Sequence, residues 1–269
     1  LSLRLAGIVV ISLLVCAQAS TNALRFSADT AARIARFADR NDMRFRLWRP
    51  GGGYEGLPFS SGVDHARFAT VSGSRRGTPV EFGNLVSRAQ AGFLDRHVGY
   101  IAIRLPERLP PMAVDAGRLA RVFGVPLPSQ RHRSQRVDVG AGRSFRLYVA
   151  DGAEPVARAL FDPETVALFA RVATRFDAEF AGRHLILSSR RLVSTGSAWR
   201  WREEIRLVDE VVAVLGASPA WDLVRRWARG RGPQYGPLRW AVAGPVITIA
   251  SISVVAIAVL VALALGARS

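Results

Sequence analysis

The chain has 269 residues, of which 49% are hydrophobic, and it carries a net charge of +16 from 37 basic and 21 acidic residues. Every basic residue is arginine, which excludes Schiff-base, P-loop and general-base chemistry by lysine. One cysteine excludes a disulfide framework, and four histidines leave almost nothing for a structural zinc site. Neither a metal nor any other cofactor is therefore predicted.

The first 22 residues form a hydrophobic segment with two possible interpretations. An apolar run over 5–19 follows Arg4. Ala17 and Ala19 stand just before Ser20, in the spacing of a signal-peptidase site. The run is short for a membrane anchor, but an uncleaved anchor is the other interpretation. Segment 1–22 is thus predicted to be an N-terminal anchor or a signal peptide.

Residues 23–218 carry the patterns of a soluble α+β domain. A helix is predicted over 27–39, with Ser27 as its cap, and an alternating strand follows at 43–47. The loop over 49–62, which contains three consecutive glycines, is expected to be exposed. Further strands are predicted at 65–72, 79–86 and 98–105, the first two forming a hairpin.

The second half of the domain begins with a proline-rich stretch, 106–142, which is predicted to be mostly loop. A strand over 144–150 and a helix over 154–161 follow, and then a helix with Asp162 as cap and Pro163 in its first turn. The last predicted elements are a hairpin over 177–189 that turns at Gly182 and a helix over 201–215. Together these elements predict an antiparallel-rich sheet with packed helices.

Three local patterns resemble pieces of catalytic sites, but each has a simpler explanation. The G-x-G at 140–142 runs into a strand rather than a helix, so a turn is predicted. The pair at 64–65, Asp-His, lies near serines 60 and 61, but sequence neighbours do not by themselves converge as a triad. The two carboxylates at 203–204 are expected to pair with arginines on their own helix surface, namely Arg200, Arg202 or Arg206.

The densest basic run of the domain is 131–136, with the sequence RHRSQR. Such a run suits phosphate groups of nucleic acid or lipid. Binding of single-stranded nucleic acid requires aromatic residues among the arginines, and this run contains none. An exposed loop is therefore predicted, and nucleic acid is not expected as a partner.

Segment 219–236 is predicted to be a basic juxtamembrane helix and linker. At helical spacing, Trp221, Val224 and Trp227 form one apolar stripe, and arginines lie elsewhere around the helix. The stripe has two interpretations: it enters the lipid headgroup layer, where tryptophan and arginine are favoured, or it packs on the domain itself. The residues predicted to lie at the membrane interface are Trp221, Arg225, Arg226, Trp227, Arg229, Arg231, Arg239 and Trp240.

Segment 237–267 is predicted to be a transmembrane helix. No charged residue occurs from 240 to 267. A hydrocarbon core of about 30 Å requires roughly 20 helical residues, so this run is long enough to span a bilayer.

The arginines near the two hydrophobic ends predict where the middle of the chain lies. They cluster on the inner side of each end, at 25–40 and at 225–239, whereas only Arg4 and Arg268 lie outside. Because positive charge is retained on the cytoplasmic side of a membrane, we expect an integral protein of the cell membrane with a cytoplasmic domain. Anionic lipids are possible partners of the juxtamembrane arginines.

Several short segments stand out between residues 37 and 215, namely PVEFGN at 79–84, GYIAIRL at 99–105, FRLY at 145–148, LFDP at 160–163 and FDAEF at 176–180. In their order and spacing they resemble an uncharacterised family of membrane-anchored proteins from GC-rich bacteria. The resemblance implies an anchored α+β domain and no particular chemistry.

The sequence therefore predicts a membrane-tethered cytoplasmic domain with a non-enzymatic binding or scaffolding role and an unknown protein partner. The exposed loops at 49–62 and 106–142 are the expected contact surfaces. Two alternatives remain open: an enzyme whose active site is assembled from scattered residues, and a binder of anionic lipid or nucleic acid.

Overall fold

A computed structural model describes residues 28–51, 53–60, 63–88, 95–117 and 134–230. In these ranges the strands form one sheet of nine, in the order β1-β2-β3-β4-β9-β8-β5-β7-β6, and every neighbouring pair is antiparallel. The strands are β1 (Arg44–Pro50), β2 (Val63–Arg75), β3 (Thr78–Arg88), β4 (Asp95–Arg104), β5 (Met112–Asp115), β6 (Ser134–Val137), β7 (Arg146–Ala150), β8 (Asp177–Ala181) and β9 (His184–Ser189).

The helices of these ranges are α1 (Ala28–Asp39), α2 (Leu57–Ser60), α3 (Glu154–Leu160), α4 (Pro163–Val172), α5 (Ala198–Ala217) and α6 (Ala220–Gly230). The predicted start of α4 is confirmed, because the Asp162 side chain accepts a hydrogen bond from Thr165 N at 2.8 Å and Pro163 occupies the first turn. The predicted fold class, an α+β domain with a large antiparallel sheet and packed helices, is confirmed.

The β2–β3 hairpin shows how the local sequence sets the turn. Arg75 pairs with Thr78, so only Arg76 and Gly77 form the loop, and both have positive φ, 48° and 78°. This is the backbone conformation that matches the twist of a two-residue hairpin, and glycine adopts it without strain. Both strands extend beyond their predicted limits, and their register shifts at an irregularity between Phe68 and Val71 of β2.

Alternation along the strands gives the sheet two different faces. The inner face carries apolar residues such as Phe82, Ile101 and Leu187, which join the main core with residues of the helices. Trp201 of α5 packs there between Phe37 of α1 and Phe82, at ring-centroid distances of 4.3 and 5.4 Å. The outer face carries a smaller cluster together with several ionisable side chains, which are described below.

The stretch 106–142 contains two strands that the sequence pattern did not predict. The four residues of β5 follow two prolines and are almost wholly buried, so they show no alternation that would mark a strand. Even so, β5 lies between β8 and β7 in the sheet. The edge strand β6 contains the end of the basic run 131–136, and residues 118–133 lie outside the described ranges.

The expectation that 49–62 is an exposed loop is wrong for its described centre. Leu57 and Phe59 of α2 are buried, because the segment folds back over the outer face of the sheet. The predicted segments 1–22 and 237–267 lie outside the described residues. Among the helices of the described ranges, none is both long and apolar enough to cross a membrane.

Candidate functional site

The segment 53–60, which we name the outer strap, lies across the outer face of the sheet. Its Tyr54 and Phe59 rings contact each other at 5.2 Å, and Phe59 meets Tyr100 of β4 edge-on at 5.0 Å. Gly53 lies directly on the Arg67 guanidinium, so that a Cβ atom there would lie 2.6 Å from Arg67 Nη2. The outer strap therefore covers a set of ionisable groups that would otherwise face solvent.

Glu81 of β3 is the centre of this set, which we name the outer network. Its carboxylate is buried and accepts hydrogen bonds from Arg67 Nη1 at 2.8 Å, Tyr100 Oη at 2.6 Å and Arg49 Nη1 at 3.2 Å. The Arg67 guanidinium also lies 5.4 Å from the centre of the Tyr54 ring. One buried carboxylate thus has two cations and a phenol around it, which is the pairing that a buried charge requires.

The two tyrosines of the outer network remain protonated at neutral pH. Burial, and then the negative charge of Glu81, raise the pKa of Tyr100 well above its usual range, and the same causes raise the pKa of Tyr54. Tyr100 therefore donates to Glu81 rather than acting as a base. In this arrangement the charged groups stabilise one another and support the fold.

A second buried carboxylate anchors the outer strap to the sheet. Glu179 of β8 accepts a hydrogen bond from Leu57 N at 2.7 Å. Burial raises the pKa of Glu179 to about 7, although the hydrogen bond from Leu57 partly opposes this shift. The strap is thus held by a group that titrates near neutrality.

A cavity of about 380 Å³ opens beside the outer network. His184 and Arg104 line it together with Tyr54 and Glu81. Burial and the nearby Arg104 charge lower the pKa of His184, so its ring is neutral at pH 7. Since Glu81 already accepts three hydrogen bonds, the cavity offers a polar wall rather than an activated acid or base.

A different site lies where β9 ends and the chain runs toward α5, and it is built on a fixed loop. The side chain of Asn84, on the inner face of β3, donates from Nδ2 to Ser194 O at 2.8 Å and accepts at Oδ1 from Val193 N at 2.9 Å and Ser194 N at 3.3 Å. Trp201 Nε1 donates to Thr195 O at 2.7 Å. The loop 190–195 is therefore held by buried side chains at several points.

Gly99 of β4 lets this loop approach the sheet. A Cβ atom at Gly99 would lie 2.2 Å from Arg191 O and 2.5 Å from Val193 N, which are backbone atoms that cannot easily move away. Asn84 and Gly99 are direct partners across β3 and β4. The sheet thus provides both the groove and the hydrogen-bonding groups for the loop.

The loop forms one wall of a cleft of about 700 Å³, which we name the arginine cleft. Arg190 and Arg191 come from the loop, Arg200 from α5, and Arg175 from the turn after α4. An exposed indole, Trp199, lies at the same cleft. No carboxylate of the described residues forms an ion pair with Arg190, Arg191 or Arg200.

The glutamates 203 and 204 of α5 also line the arginine cleft, and the prediction that they pair with arginines of their own helix is wrong. Both pair with Arg175, which lies on a different element, rather than with arginines of α5. Glu204 is 3% exposed, and its Oε2 has no hydrogen-bond partner in the described part of the chain. Burial, opposed by the charge of Arg175, raises the pKa of Glu204 to about 7.

The predicted membrane-interface residues fall into three groups. Trp221 is 6% exposed, and its Nε1 donates to Leu215 O at 2.6 Å, while Trp227 is half-buried against the main core. Both tryptophans pack on the domain. Arg225 and Arg226 face outward from α6. The side chain of Arg229, and Arg231, Arg239 and Trp240, lie outside what the structure describes.

Sequence reasoning missed the arginine cleft. Its arginines come from three places in the chain, and only the adjacent pair 190–191 gives a local signal. In a chain with 37 arginines, one such pair does not stand out.

The turn predicted at 140–142 is confirmed, since both glycines have positive φ, 78° and 58°.

No protein-family model and no curated protein matches the chain. Among solved structures, the crystal structure of the mycobacterial trehalose monomycolate transport factor A, TtfA, is similar over 69% of this chain and 95% of that chain. The two share 14% sequence identity, and the TM-score is 0.45. TtfA is thus a distant structural neighbour, and a likeness at this level carries no conclusion about ligand or partner.

Proposed function

We propose that the chain is a non-enzymatic, membrane-tethered binding protein whose folded domain lies in the cytoplasm, close to the inner face of the cell membrane. The observation that carries this proposal is the orientation of α6. Its apolar side is fixed to the domain through Trp221 and Val224, and its arginines 225 and 226 point outward.

The position of α6 in the chain supports the tether. It ends at Gly230, ten residues before an uncharged run that is long enough to span a bilayer. Outward arginines at this point suit an anionic leaflet, where each arginine contributes about 1 kcal/mol to the free energy of membrane binding. Because α6 packs on α3, its outward arginines keep a fixed position on the surface of the domain.

The binding role rests on how the ionisable groups are used. The outer network is occupied with its own hydrogen bonds, so it stabilises the fold. The arginine cleft instead contains three arginines, 190, 191 and 200, that form no ion pair with a carboxylate of the described residues.

Topology can be tested by thiol labelling, because Cys16 is the only cysteine of the chain. Ser144 is exposed in a turn of the domain, so a Cys16→Ser, Ser144→Cys variant offers one new thiol there. A membrane-impermeant maleimide should label it after cell lysis and leave it unlabelled in intact spheroplasts. The Cys16→Ser variant alone is the control for background labelling.

Membrane integration is tested on the same cells by washing their membranes with alkaline carbonate. The protein should stay in the membrane pellet. Labelling in intact spheroplasts would overturn the cytoplasmic assignment, and release by carbonate would overturn the integral one.

A further inference from the structure

We infer that the arginine cleft binds the phosphate group of a phosphate monoester, with the esterified group lying against Trp199. This inference rests on the proposed binding role and gives that role a ligand class and a set of residues. It does not depend on the membrane tether.

The charge of the cleft favours an anion. Four arginines line it against two glutamates, and both glutamates pair with the same arginine, Arg175. The remaining three are Arg190, Arg191 and Arg200. Guanidinium groups bind phosphate through paired, charge-assisted hydrogen bonds, so three of them around one cleft suit a doubly charged phosphate.

Glu204 provides an independent sign that a ligand enters. Its side chain is 3% exposed and lines the cleft, and its Oε2 lacks a hydrogen-bond partner within the described ranges. A buried carboxyl oxygen without a partner is unusual in a folded protein. A protonated Glu204 donates from Oε2 to a phosphate oxygen, and its raised pKa agrees with that form near neutral pH.

The rigidity of the wall suits binding. Asn84 makes three hydrogen bonds to the backbone of Val193 and Ser194, so the loop that carries Arg190 and Arg191 has its backbone fixed before a ligand arrives. Such pre-organisation lowers the entropic cost of binding.

Trp199 indicates the second part of the ligand. Its indole is 58% exposed at the edge of the cleft, although large aromatic side chains usually bury most of their surface. A flat or apolar group next to the phosphate would cover it. The source of such an ester is either a lipid headgroup or a soluble metabolite, and both share this chemistry.

The test is isothermal titration calorimetry on the full chain in neutral detergent micelles. The probes are inorganic phosphate, phenyl phosphate and short-chain dihexanoyl phosphatidic acid. The variants are Arg190→Ala, Arg191→Ala and Arg200→Ala, each expected to weaken phenyl phosphate binding by about tenfold or more. These side chains form no described ion pair, so the variants should keep the thermal stability of the parent.

The matched control is Arg206→Ala. Arg206 is exposed on α5, outside the cleft lining, and its loss removes the same charge. Its binding should change less than about twofold, because a single exposed charge acts through a screened field. An equal loss in Arg206→Ala, or no binding of any probe, would overturn the site.

Trp199→Ala separates the two halves of the ligand. It should weaken the binding of phenyl phosphate and leave the binding of inorganic phosphate unchanged, whereas an equal change in the binding of the two probes would overturn the placement of the ester group.

Tighter binding of phosphatidic acid than of phenyl phosphate assigns a lipid source, and the reverse order assigns a soluble one. Because calorimetry in micelles is independent of topology, this proposal can fail while the tether stands, and the reverse also holds.

Discussion

The outer network and the arginine cleft are two ways of using charge on one sheet. In the network, Arg67 and Arg49 both form ion pairs with the buried Glu81. In the cleft, two glutamates share Arg175, and Arg190, Arg191 and Arg200 form no ion pair with a carboxylate of the described ranges. Arginines that pair with a buried carboxylate support the fold, whereas arginines that form no ion pair are available for binding.

Adjacent positions on β3 and β4 serve the two regions from opposite faces. Gly83 lies against Tyr100, whose hydroxyl would be 2.6 Å from a Cβ at that position, and Gly99 lies against the cleft loop. Glu81 and Asn84 of β3 likewise point to opposite faces, as alternation along a strand requires. Changes on these two strands can therefore separate the two roles.

The largest effect is expected from Glu81→Gln. It leaves the buried Arg67 without a charged partner, and breaking a buried pair in this way costs roughly 3 to 5 kcal/mol of unfolding free energy. Chemical denaturation measures the loss. The exposed pair of Glu154 and Arg158 gives the control, Glu154→Gln, which should cost less than about 1 kcal/mol. Equal effects of the two variants would show that the network does not stabilise the fold.

Gly99→Ala should come next, and it should affect both stability and binding. The new methyl group meets the backbone of Arg191 and Val193, so we expect a loss of about 3 kcal/mol and a weaker phosphate affinity in the folded protein. Gly216→Ala is the control, because a Cβ there meets nothing within 4 Å. Unchanged phosphate affinity in Gly99→Ala would mean that the loop position does not determine binding.

The smallest of the three effects, from Glu179→Gln, depends on pH. The folded protein holds a proton on Glu179 up to a pKa of about 7, whereas the unfolded chain releases it near the ordinary value of 4.5. Wild-type stability therefore falls as pH rises through this window and is then constant. The glutamine still accepts from Leu57 N, so the variant should be more stable by roughly 2 kcal/mol at pH 8 and nearly equal at pH 4.

Thermal unfolding at both pH values measures this difference. Glu164→Gln, at an exposed position of α4, should show no such dependence. A Glu179→Gln variant that is less stable at pH 8 would contradict the assignment of Glu179 as a buried, proton-holding anchor.

Much of the fold follows from local sequence, and the site does not. The strands 79–86 and 98–105, the hairpin at Gly182 and the start of α4 were predictable because alternation and capping are local signals. The strand β5 was missed because it is short and buried on both faces. The strap residues Leu57 and Phe59 were taken for loop because nothing nearby shows that the sheet lies beneath them.

The arginine cleft was not predictable for a different reason. Arg175, Arg190 and Arg200 meet only after β8 and β9 have paired and α5 has packed on the sheet. The same holds for α6, because its pattern allowed two equal interpretations of the tryptophans. Only the packing of Trp221 shows that the domain itself uses the stripe.

The three hydrogen bonds from Asn84 also have a kinetic consequence. A wall fixed in this way does not have to open or close, so an anion enters and leaves the cleft without waiting for a conformational step. The association rate should then be set by diffusion in the field of a strongly positive chain and should fall steeply as salt is added.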